Sequence, residues 1–291
     1  MFMIQNCRIT YRELAEKLDL TANAVKKRVT KLVDTGVLIF DVVPSYAQVD
    51  ADPVLVRVKT DNTVTSDTLL EEIGNHELVF VINPLPDGQF FYFADCRDSM
   101  ELADLLSFTR TRESVTETTA YSIITARGKK GNYTKDQLRV LRAVLDDPRM
   151  SISTIAEKCS ISARRVRRAI NEMIKSETAS FMSRWNPNLG DSIAVCSEIK
   201  WKAGYSEMID ADTWLRETFP NTYWFSYIVA NEPIFFAMFL LEHVREMEDI
   251  DRKLEESKRT EYADVHFMFP SRLYPRPRKI WLEELLDSKG F

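Results

Sequence analysis

Two hydrophobic patterns alternate along the chain and predict different elements. Short runs of β-branched and aromatic residues, such as residues 53–60 and 89–96, are typical of strands, whereas apolar residues spaced by three or four positions predict helices. From residue 53 to residue 124 these patterns give the order strand, helix, strand, strand, helix, strand, and residues 192–269 repeat it. A βαββαβ order predicts a ferredoxin-like sheet with both helices on one face.

The chain is a tandem duplication. Residues 8–40 align without a gap on residues 149–181 at a shift of 141, so that one Ala-Glu-Lys triplet falls on another and most apolar positions coincide. A repeat of this length indicates that the whole architecture, and not only one motif, is duplicated. We therefore expect an α+β protein with two winged or helix-turn-helix units, each followed by a ferredoxin-like βαββαβ module. The expected domains are helix-turn-helix 1 at 1–45, sheet module 1 at 46–126, helix-turn-helix 2 at 134–185, and sheet module 2 with a C-terminal helix at 190–291.

The start of each repeat carries helix-turn-helix signals. Thr10 and Glu13 have capping-box spacing, in which each side chain accepts a hydrogen bond from the other residue's N–H, so a helix is expected from there to about residue 18. Asp19 suits the left-handed turn that follows, and Thr21 can cap a second helix that ends near Gly36. Many DNA-binding proteins place a helix in the major groove with this motif.

The second helix of each unit has one apolar side and one polar, basic side. At about 100° per residue, Val25, Val29 and Leu32 form the side that faces the core. Arginine, lysine and asparagine on the opposite side can donate to base edges, and flanking cations can bind phosphates. The residues predicted to face bases are Asn23, Lys27, Thr30, Arg164, Arg168 and Asn171, and those predicted to contact phosphates are Lys26, Arg28, Lys31, Arg165 and Arg167.

The net charge differs in sign between the helix-turn-helix segments and the rest of the chain. The whole chain carries 39 basic and 44 acidic residues, a net charge of −5, which alone argues against a nucleic-acid partner. Residues 1–45 carry seven basic and five acidic side chains, and residues 134–185 carry eleven and six. The two segments therefore have net charges of +2 and +5, and the rest of the chain has −12. Basic charge is concentrated where DNA contact is predicted.

The remaining composition argues against several classes of protein. The longest apolar run, residues 234–241, is too short to span a bilayer, and the N-terminal residues lack the pattern of a secretion signal, so membrane and secreted proteins are not expected. Four widely spaced cysteines and three histidines without ligand spacing predict no disulfide framework, no metal site and no cofactor. We expect a cytoplasmic protein that is not an enzyme.

Residues 6–38, NCRITYRELAEKLDLTANAVKKRVTKLVDTGVL, resemble the helix-turn-helix of the Lrp/AsnC, or feast/famine, family of prokaryotic transcriptional regulators. The resemblance continues through Asp87-Gly88 and the segments CRDSMELADLL and VTETTAYSII, and it is weaker in the second half. It implies a regulator that binds promoter DNA through its recognition helices. The sheet modules, of the RAM type, would mediate association, often around a small amino-acid effector. The resemblance implies double-stranded DNA as a partner and no association with a membrane. It also implies either a homo-oligomer or an intramolecular pseudo-dimer formed by the two repeats.

The sequence departs from that family's pattern in four ways. The family usually has one helix-turn-helix and one sheet module per chain, whereas this chain has two of each. Ala169 and Glu177 stand where the first copy has Arg28 and Gly36, so the two units are not expected to read DNA identically. The acidic residue expected after Gly88 is absent, which weakens the case for amino-acid binding. The first copy also lacks most of the leading helix that precedes the second, so either the chain starts further upstream or another segment replaces that helix.

The sequence favours a sequence-specific, DNA-binding transcriptional regulator of Lrp/AsnC type that acts as a tandem pseudo-dimer. Two alternatives stay open. Siroheme decarboxylases combine helix-turn-helix units and sheet modules in a similar way, so the architecture alone does not exclude such an enzyme. The third interpretation is an assembly module that keeps its helix-turn-helix units for packing and does not bind DNA.

Overall fold

The computed structural model describes residues 2–61, 65–202 and 208–291, and its helices and strands follow the repeat. The first half contains α1 (Phe2–Gln5), α2 (Tyr11–Leu18), α3 (Ala22–Asp34), β1 (Leu38–Pro44), α4 (Tyr46–Val49), β2 (Asp52–Thr60), α5 (Asp67–Gly74), β3 (Val79–Pro84), β4 (Gln89–Cys96), α6 (Ser99–Arg110) and β5 (Val115–Ile124). The second half contains α7 (Lys135–Val144), α8 (Ile152–Cys159), α9 (Ala163–Lys175), β6 (Ala179–Trp185), β7 (Ile193–Trp201), α10 (Met208–Thr218), β8 (Tyr223–Val229), β9 (Ile234–Leu241), α11 (Arg245–Glu255), β10 (Thr260–Phe267), β11 (Arg272–Leu273) and α12 (Pro277–Ser288). None of the helices in the described ranges combines the length and the apolar composition needed to cross a bilayer.

The chain divides into two compact units, and each unit contains segments of both repeats. The helical unit comprises Met1–Ala51, Ala126–Asn186 and Pro275–Phe291, and it holds the helix-turn-helix elements of both copies together with α12. The sheet unit comprises Asp52–Thr125 and Pro187–Tyr274, and it holds the strands and helices of both sheet modules. Equivalent parts of the two repeats therefore associate with each other.

Each sheet module has the ferredoxin-like strand order that the sequence predicts. Module 1 has the order β5-β2-β4-β3 and module 2 the order β10-β7-β9-β8, with antiparallel neighbours throughout. The modules join where β5 pairs with β8, through Ile123 opposite Val229 and Ile124 opposite Ile228. The short strand β11 pairs with β3 at the far edge of module 1. The α+β fold with ferredoxin-like modules is thus confirmed.

Two apolar layers lie on opposite faces of these strands, because successive side chains point in opposite directions. In β9, Phe236 and Met238 belong to a buried cluster that also contains Phe91 of module 1. Phe235 and Phe239 point the other way, into a cluster that includes side chains of α10 and α11. We call the face that meets the other module the inner face. Burial of one such phenylalanine contributes about 1.5–3 kcal/mol, so contact between the modules is a major source of stability.

The two copies of the helix-turn-helix have cores of different size. In the second copy, α7 supplies Leu138 and Leu141 to a large buried cluster, to which α12 adds Leu282. In the first copy, the short helix α1 places Met3 in a smaller cluster, against which Trp185 of β6 packs. Side chains of α1 and β6 thus contribute to the core of the first copy, and residue 1 lies outside the described residues.

Two helices end where the local sequence stops them. The Glu246 side chain of α11 accepts hydrogen bonds from the N–H groups of Glu242 and His243, just before the helix, and the helix ends at Glu255 before the chain turns into β10. The helix α7 ends at Val144. Pro148 follows closely, and the residue before a proline disfavours helical backbone.

Candidate nucleic-acid interface

The first helix-turn-helix has the caps that its sequence predicts. The Thr10 hydroxyl accepts a hydrogen bond from the Glu13 N–H at 3.1 Å, and Glu13 Oε2 accepts one from the Thr10 N–H at 2.8 Å. The bond from the Thr10 N–H, together with one that the Thr10 hydroxyl donates to the same oxygen, lowers the pKa of the Glu13 carboxyl because both favour its charged form. Asp19 has the left-handed φ and ψ of 52° and 49°, and Thr21 caps α3 by accepting from the Ala24 N–H. The caps and the turn together define where α3 begins.

The helix α3 has a buried side and an exposed side. Val25 and Val29 are 3% and 6% exposed and pack in one cluster with Leu14 and Ala15 of α2. The small side chain of Ala15 allows the two helices to approach closely. The side chains away from this contact are exposed, namely Asn23, Lys26, Lys27, Arg28, Thr30 and Lys31. All positions predicted to contact DNA in the first copy therefore face solvent.

The helix α9 repeats this arrangement. Ser162 caps it by accepting a hydrogen bond from the Arg165 N–H at 3.3 Å, and Val166, Ile170 and Met173 are buried in the core of the second copy. The exposed side chains are Arg164, Arg165, Arg167, Arg168 and Asn171. The structure therefore brings the predicted residues of the second copy together on one solvent-facing surface.

Two arginines of that surface form ion pairs. Arg165 donates two hydrogen bonds of 2.7 Å to Asp136 of α7. Arg168 donates at 2.7 Å to Glu172, one turn further along α9, and this bond raises the pKa of the Arg168 guanidinium. The arginine side chains are 56% and 78% exposed, so both pairs are weak and can open. Sequence reasoning missed both carboxylates, although Arg168 and Glu172 have the spacing of an i,i+4 helix pair.

A pair of strands that the sequence analysis did not predict joins the two helix-turn-helix units. β1 and β6 are antiparallel, with Leu38 opposite Trp185 and Pro44 opposite Ala179. At the centre, position 41 faces position 182, and the difference equals the repeat shift of 141. The ladder is therefore symmetric about two equivalent residues, as in the two-fold contact of a dimer.

The described residues contain no group of three or more histidine, cysteine, aspartate or glutamate side chains placed to hold a metal ion. All four cysteines are free, and Cys7, Cys96 and Cys196 are buried. Burial raises the pKa of the Cys7 and Cys96 thiols to about 12. Both side chains are therefore neutral thiols, without the thiolate character of a nucleophile or a metal ligand.

Comparison with known proteins identifies both helix-turn-helix units. Residues 2–39 and 137–177 match the winged helix-turn-helix DNA-binding family, with one match in each repeat. An uncharacterized HTH-type transcriptional regulator of Pyrococcus abyssi is 37% identical over 76 residues, which are 26% of this chain. The chain covers about half of that relative, 51% of its length. These two findings confirm a winged helix-turn-helix in each repeat and a resemblance to a transcriptional regulator. The solved structure of B. subtilis LrpC, 17% identical, covers 48% of this chain and 96% of its own, with a TM-score of 0.36.

Two solved structures share the fold over the whole chain. Both are of the siroheme decarboxylase NirDL, and one is a complex with an iron-uroporphyrin III analogue. Both are 13% identical to this chain. The first alignment covers 100% of this chain and 98% of the NirDL chain, with a TM-score of 0.57. The alignment with the complex covers 99% of this chain and 97% of the NirDL chain, with a TM-score of 0.58. This finding contradicts the sequence prediction that the protein is not an enzyme, because the architecture shared over the full length is that of an enzyme.

Proposed function

We propose that the protein is a cytoplasmic, sequence-specific DNA-binding regulator of Lrp/AsnC type that binds promoter DNA through α3 and α9. The observation that carries this proposal is common to both helices. Each buries its apolar side in the helical unit and exposes a row of basic and amide side chains. Such side chains can donate to bases and phosphates when the recognition helix lies in the major groove. In a tandem pseudo-dimer, a single chain presents both recognition helices.

The distribution of charge supports the same proposal. The two helix-turn-helix segments carry net charges of +2 and +5, whereas the rest of the chain carries −12. An acidic remainder repels the phosphate backbone and directs DNA to the basic helices. Because each phosphate contact releases condensed counterions, the affinity for DNA should fall steeply as salt concentration rises.

Selection of bound fragments from genomic DNA by the full chain tests the proposal. The exposed residues of α3 and α9 differ, so we expect the recovered motif to be asymmetric, with two unlike half-sites. Titration of a recovered fragment at several salt concentrations then measures affinity and the number of phosphate contacts. A chain that recovers no motif, or that binds all fragments equally, would contradict sequence-specific recognition.

Alanine substitutions separate contacts to bases from contacts to phosphates. Arg168→Ala should cost about 1–3 kcal/mol of binding free energy and relax specificity at one position if this residue reads a base. Arg167→Ala should weaken binding to all sequences alike and reduce the salt dependence. Arg252→Ala is the matched control, because Arg252 is an exposed arginine of α11 in the sheet unit. If Arg168→Ala and Arg252→Ala bind DNA equally well, α9 is not a recognition helix.

A second candidate function is enzymatic, the decarboxylation of a tetrapyrrole of the siroheme type. The observation that favours it is the match to NirDL, which includes both helix-turn-helix units and both sheet modules. Addition of siroheme to the full chain, followed by absorption spectroscopy and mass analysis of the product, tests this candidate. A spectral shift together with a product that has lost carbon dioxide would support the enzyme, and an unchanged spectrum would argue against it.

The experiments with DNA and with siroheme are independent and are performed on the same preparation. A chain that binds DNA without changing the siroheme spectrum acts as a regulator, and the opposite result indicates an enzyme. A folded chain that gives neither result corresponds to the third interpretation, an assembly module. That outcome also predicts no salt-dependent affinity for DNA.

A further inference from the structure

Arg57 and Glu198 are equivalent residues of the two sheet modules. Each is the sixth residue of a nine-residue strand, β2 in module 1 and β7 in module 2. The strand registers agree, since Arg57 is opposite Phe91 of β4 and Glu198 is opposite Phe236 of β9. The duplicated modules therefore carry opposite charges at one position of the inner face.

These equivalent residues contact each other between the modules. Arg57 Nη1 donates to Glu198 Oε2 at 2.5 Å, and the two side chains are 16% and 7% exposed. The rings of Phe91 and Phe236 also meet, with centroids 6.3 Å apart. Equivalent residues meet in this way around a two-fold axis. The phenylalanine contact would form equally well between two copies of one module, whereas the charged contact requires one module of each kind.

The surroundings of Arg57 reinforce this difference. Its Nη2 donates to Gln89 at 2.8 Å and to Asp264 at 3.2 Å. In module 2, Asp264 of β10 lies opposite Glu198 of β7. In module 1, the residue opposite Arg57 is Thr119 of β5, which has no charge. Burial lowers the pKa of Arg57, but Glu198 and Asp264 raise it to a net value above its ordinary one, so the guanidinium stays charged. Module 2 thus contributes two carboxylates, and module 1 contributes the cation.

We propose that this charge difference makes the inner faces selective, so that module 1 accepts module 2 and rejects a second copy of module 1. Two copies of module 1 would bring Arg57 against Arg57, and two copies of module 2 would bring their buried carboxylates together. A buried charge without its partner is strongly destabilising. The selectivity directs the two modules of one chain to each other and opposes association of chains through like modules. It does not depend on whether the protein binds DNA or a tetrapyrrole.

Charge reversal in the full chain tests the proposal. Arg57→Glu places a third carboxylate against those of Glu198 and Asp264, and it should lower the melting temperature by about 10 °C. Glu198→Arg should lower it less, because Asp264 remains beside the two arginines. The double variant R57E/E198R should recover most of the loss. Single variants that melt like the wild type, or a double variant no more stable than R57E, would overturn the proposal.

Lys59→Glu is the matched control. Lys59 lies two residues further along β2, and its partner Glu117 belongs to the same module, with side chains 41% and 54% exposed. Reversal of this charge changes the same strand without removing a contact between modules. We expect the melting temperature of Lys59→Glu to stay within a few degrees of the wild type, because exposed ion pairs contribute little.

Coexpression of R57E and E198R chains with different affinity tags tests selectivity directly. Each variant opposes pairing within its own chain, but module 1 of the first matches module 2 of the second, and the remaining two modules match as in the wild type. We expect a heterodimer that carries both tags, even where a single variant does not fold alone. Wild-type chains with the two tags are the reference, because each can pair its own two modules. Absence of the heterodimer from the variant mixture, or copurification no greater than in the wild-type mixture, would overturn the proposal.

Discussion

Arg8 and Arg149 occupy equivalent positions in the two repeats and exchange hydrogen bonds across the helical unit. Arg8 donates at 2.6 and 3.0 Å to the carbonyls of the residues immediately before and after Arg149. Arg149 donates in turn to the carbonyls on either side of Arg8, those of Cys7 and Ile9, and the bond to Ile9 is 3.2 Å long. Each guanidinium also lies near an equivalent ring, Arg8 at 5.9 Å from Phe181 and Arg149 at 5.4 Å from Phe40. The contact has the same two-fold symmetry as the β1–β6 ladder.

We expect this exchange to stabilise the association of the two helix-turn-helix units. Arg8→Ala and Arg149→Ala should each lower the free energy of unfolding by about 1.5–3 kcal/mol, because hydrogen bonds from charged donors are stronger than neutral ones. Urea unfolding of the full chain measures the change. Arg12→Ala is the control, since Arg12 is 87% exposed and pairs with Glu16 on the surface of α2. A loss no larger than that of the control would show that the exchanged bonds contribute little.

Local signals predicted the helix-turn-helix units and the order of strands, because caps, turns and periodicity act between residues close in sequence. Thr10, Glu13 and Asp19 have the roles that their spacing indicates. Contacts between the repeats could not be predicted in this way, since Arg8 finds its acceptors 140 and 142 residues away. The repeat shift of 141 could have identified some of them, because a two-fold axis brings equivalent residues such as Arg57 and its counterpart together.

The pair between Arg165 and Asp136 restrains an arginine that is predicted to contact phosphate. Asp136→Asn should release the guanidinium and remove a negative charge near the DNA backbone. We expect the affinity for a selected DNA fragment to rise by up to about fivefold, since an exposed pair contributes roughly 0.2–1 kcal/mol. Fluorescence anisotropy titration measures the change.

Asp249→Asn is the control for this effect of charge. Asp249 pairs with Arg252 and Lys253 on α11, so its replacement removes the same charge from the sheet unit. An equal rise in affinity in both variants would indicate a general effect of net charge. Unchanged or weaker binding by Asp136→Asn would argue against a DNA contact by Arg165.

Gly36 and Glu177 follow α3 and α9 at equivalent positions, and both have left-handed backbone, with φ of 75° and 54°. A residue with a Cβ pays about 1–2 kcal/mol for this conformation, which glycine adopts readily. The Glu177 side chain offsets little, since it lies 4.0 Å from Lys129 in an exposed pair. Glu177→Gly should therefore raise the free energy of unfolding by about 0.5–1 kcal/mol, and Gly36→Glu should lower it by about 1–2 kcal/mol. Urea unfolding that shows both changes with the same sign would contradict this explanation.

We expect His76 to make the sheet unit sensitive to mild acid. Its Nδ1 accepts a hydrogen bond from the Leu78 N–H at 3.3 Å, and its ring centroid is 4.9 Å from that of Phe108. An imidazole nitrogen accepts a hydrogen bond only when it is unprotonated. Burial lowers the pKa of His76 below its ordinary value of 6.5, and the opposing effect of Glu77 is smaller. The unfolded chain therefore takes up this proton at a higher pH than the folded chain does.

This difference fixes the direction of the pH dependence. The contribution of neutral His76 is fully present above the unfolded pKa of about 6.5 and is lost as the pH falls from there toward the folded pKa. We expect the free energy of unfolding to decrease more steeply between about pH 7 and pH 5 in the wild type than in His76→Gln, which cannot take up the proton. His243→Gln is the matched substitution at an exposed histidine of the same unit. Identical pH profiles for the wild type and His76→Gln would show that this histidine does not couple folding to protonation.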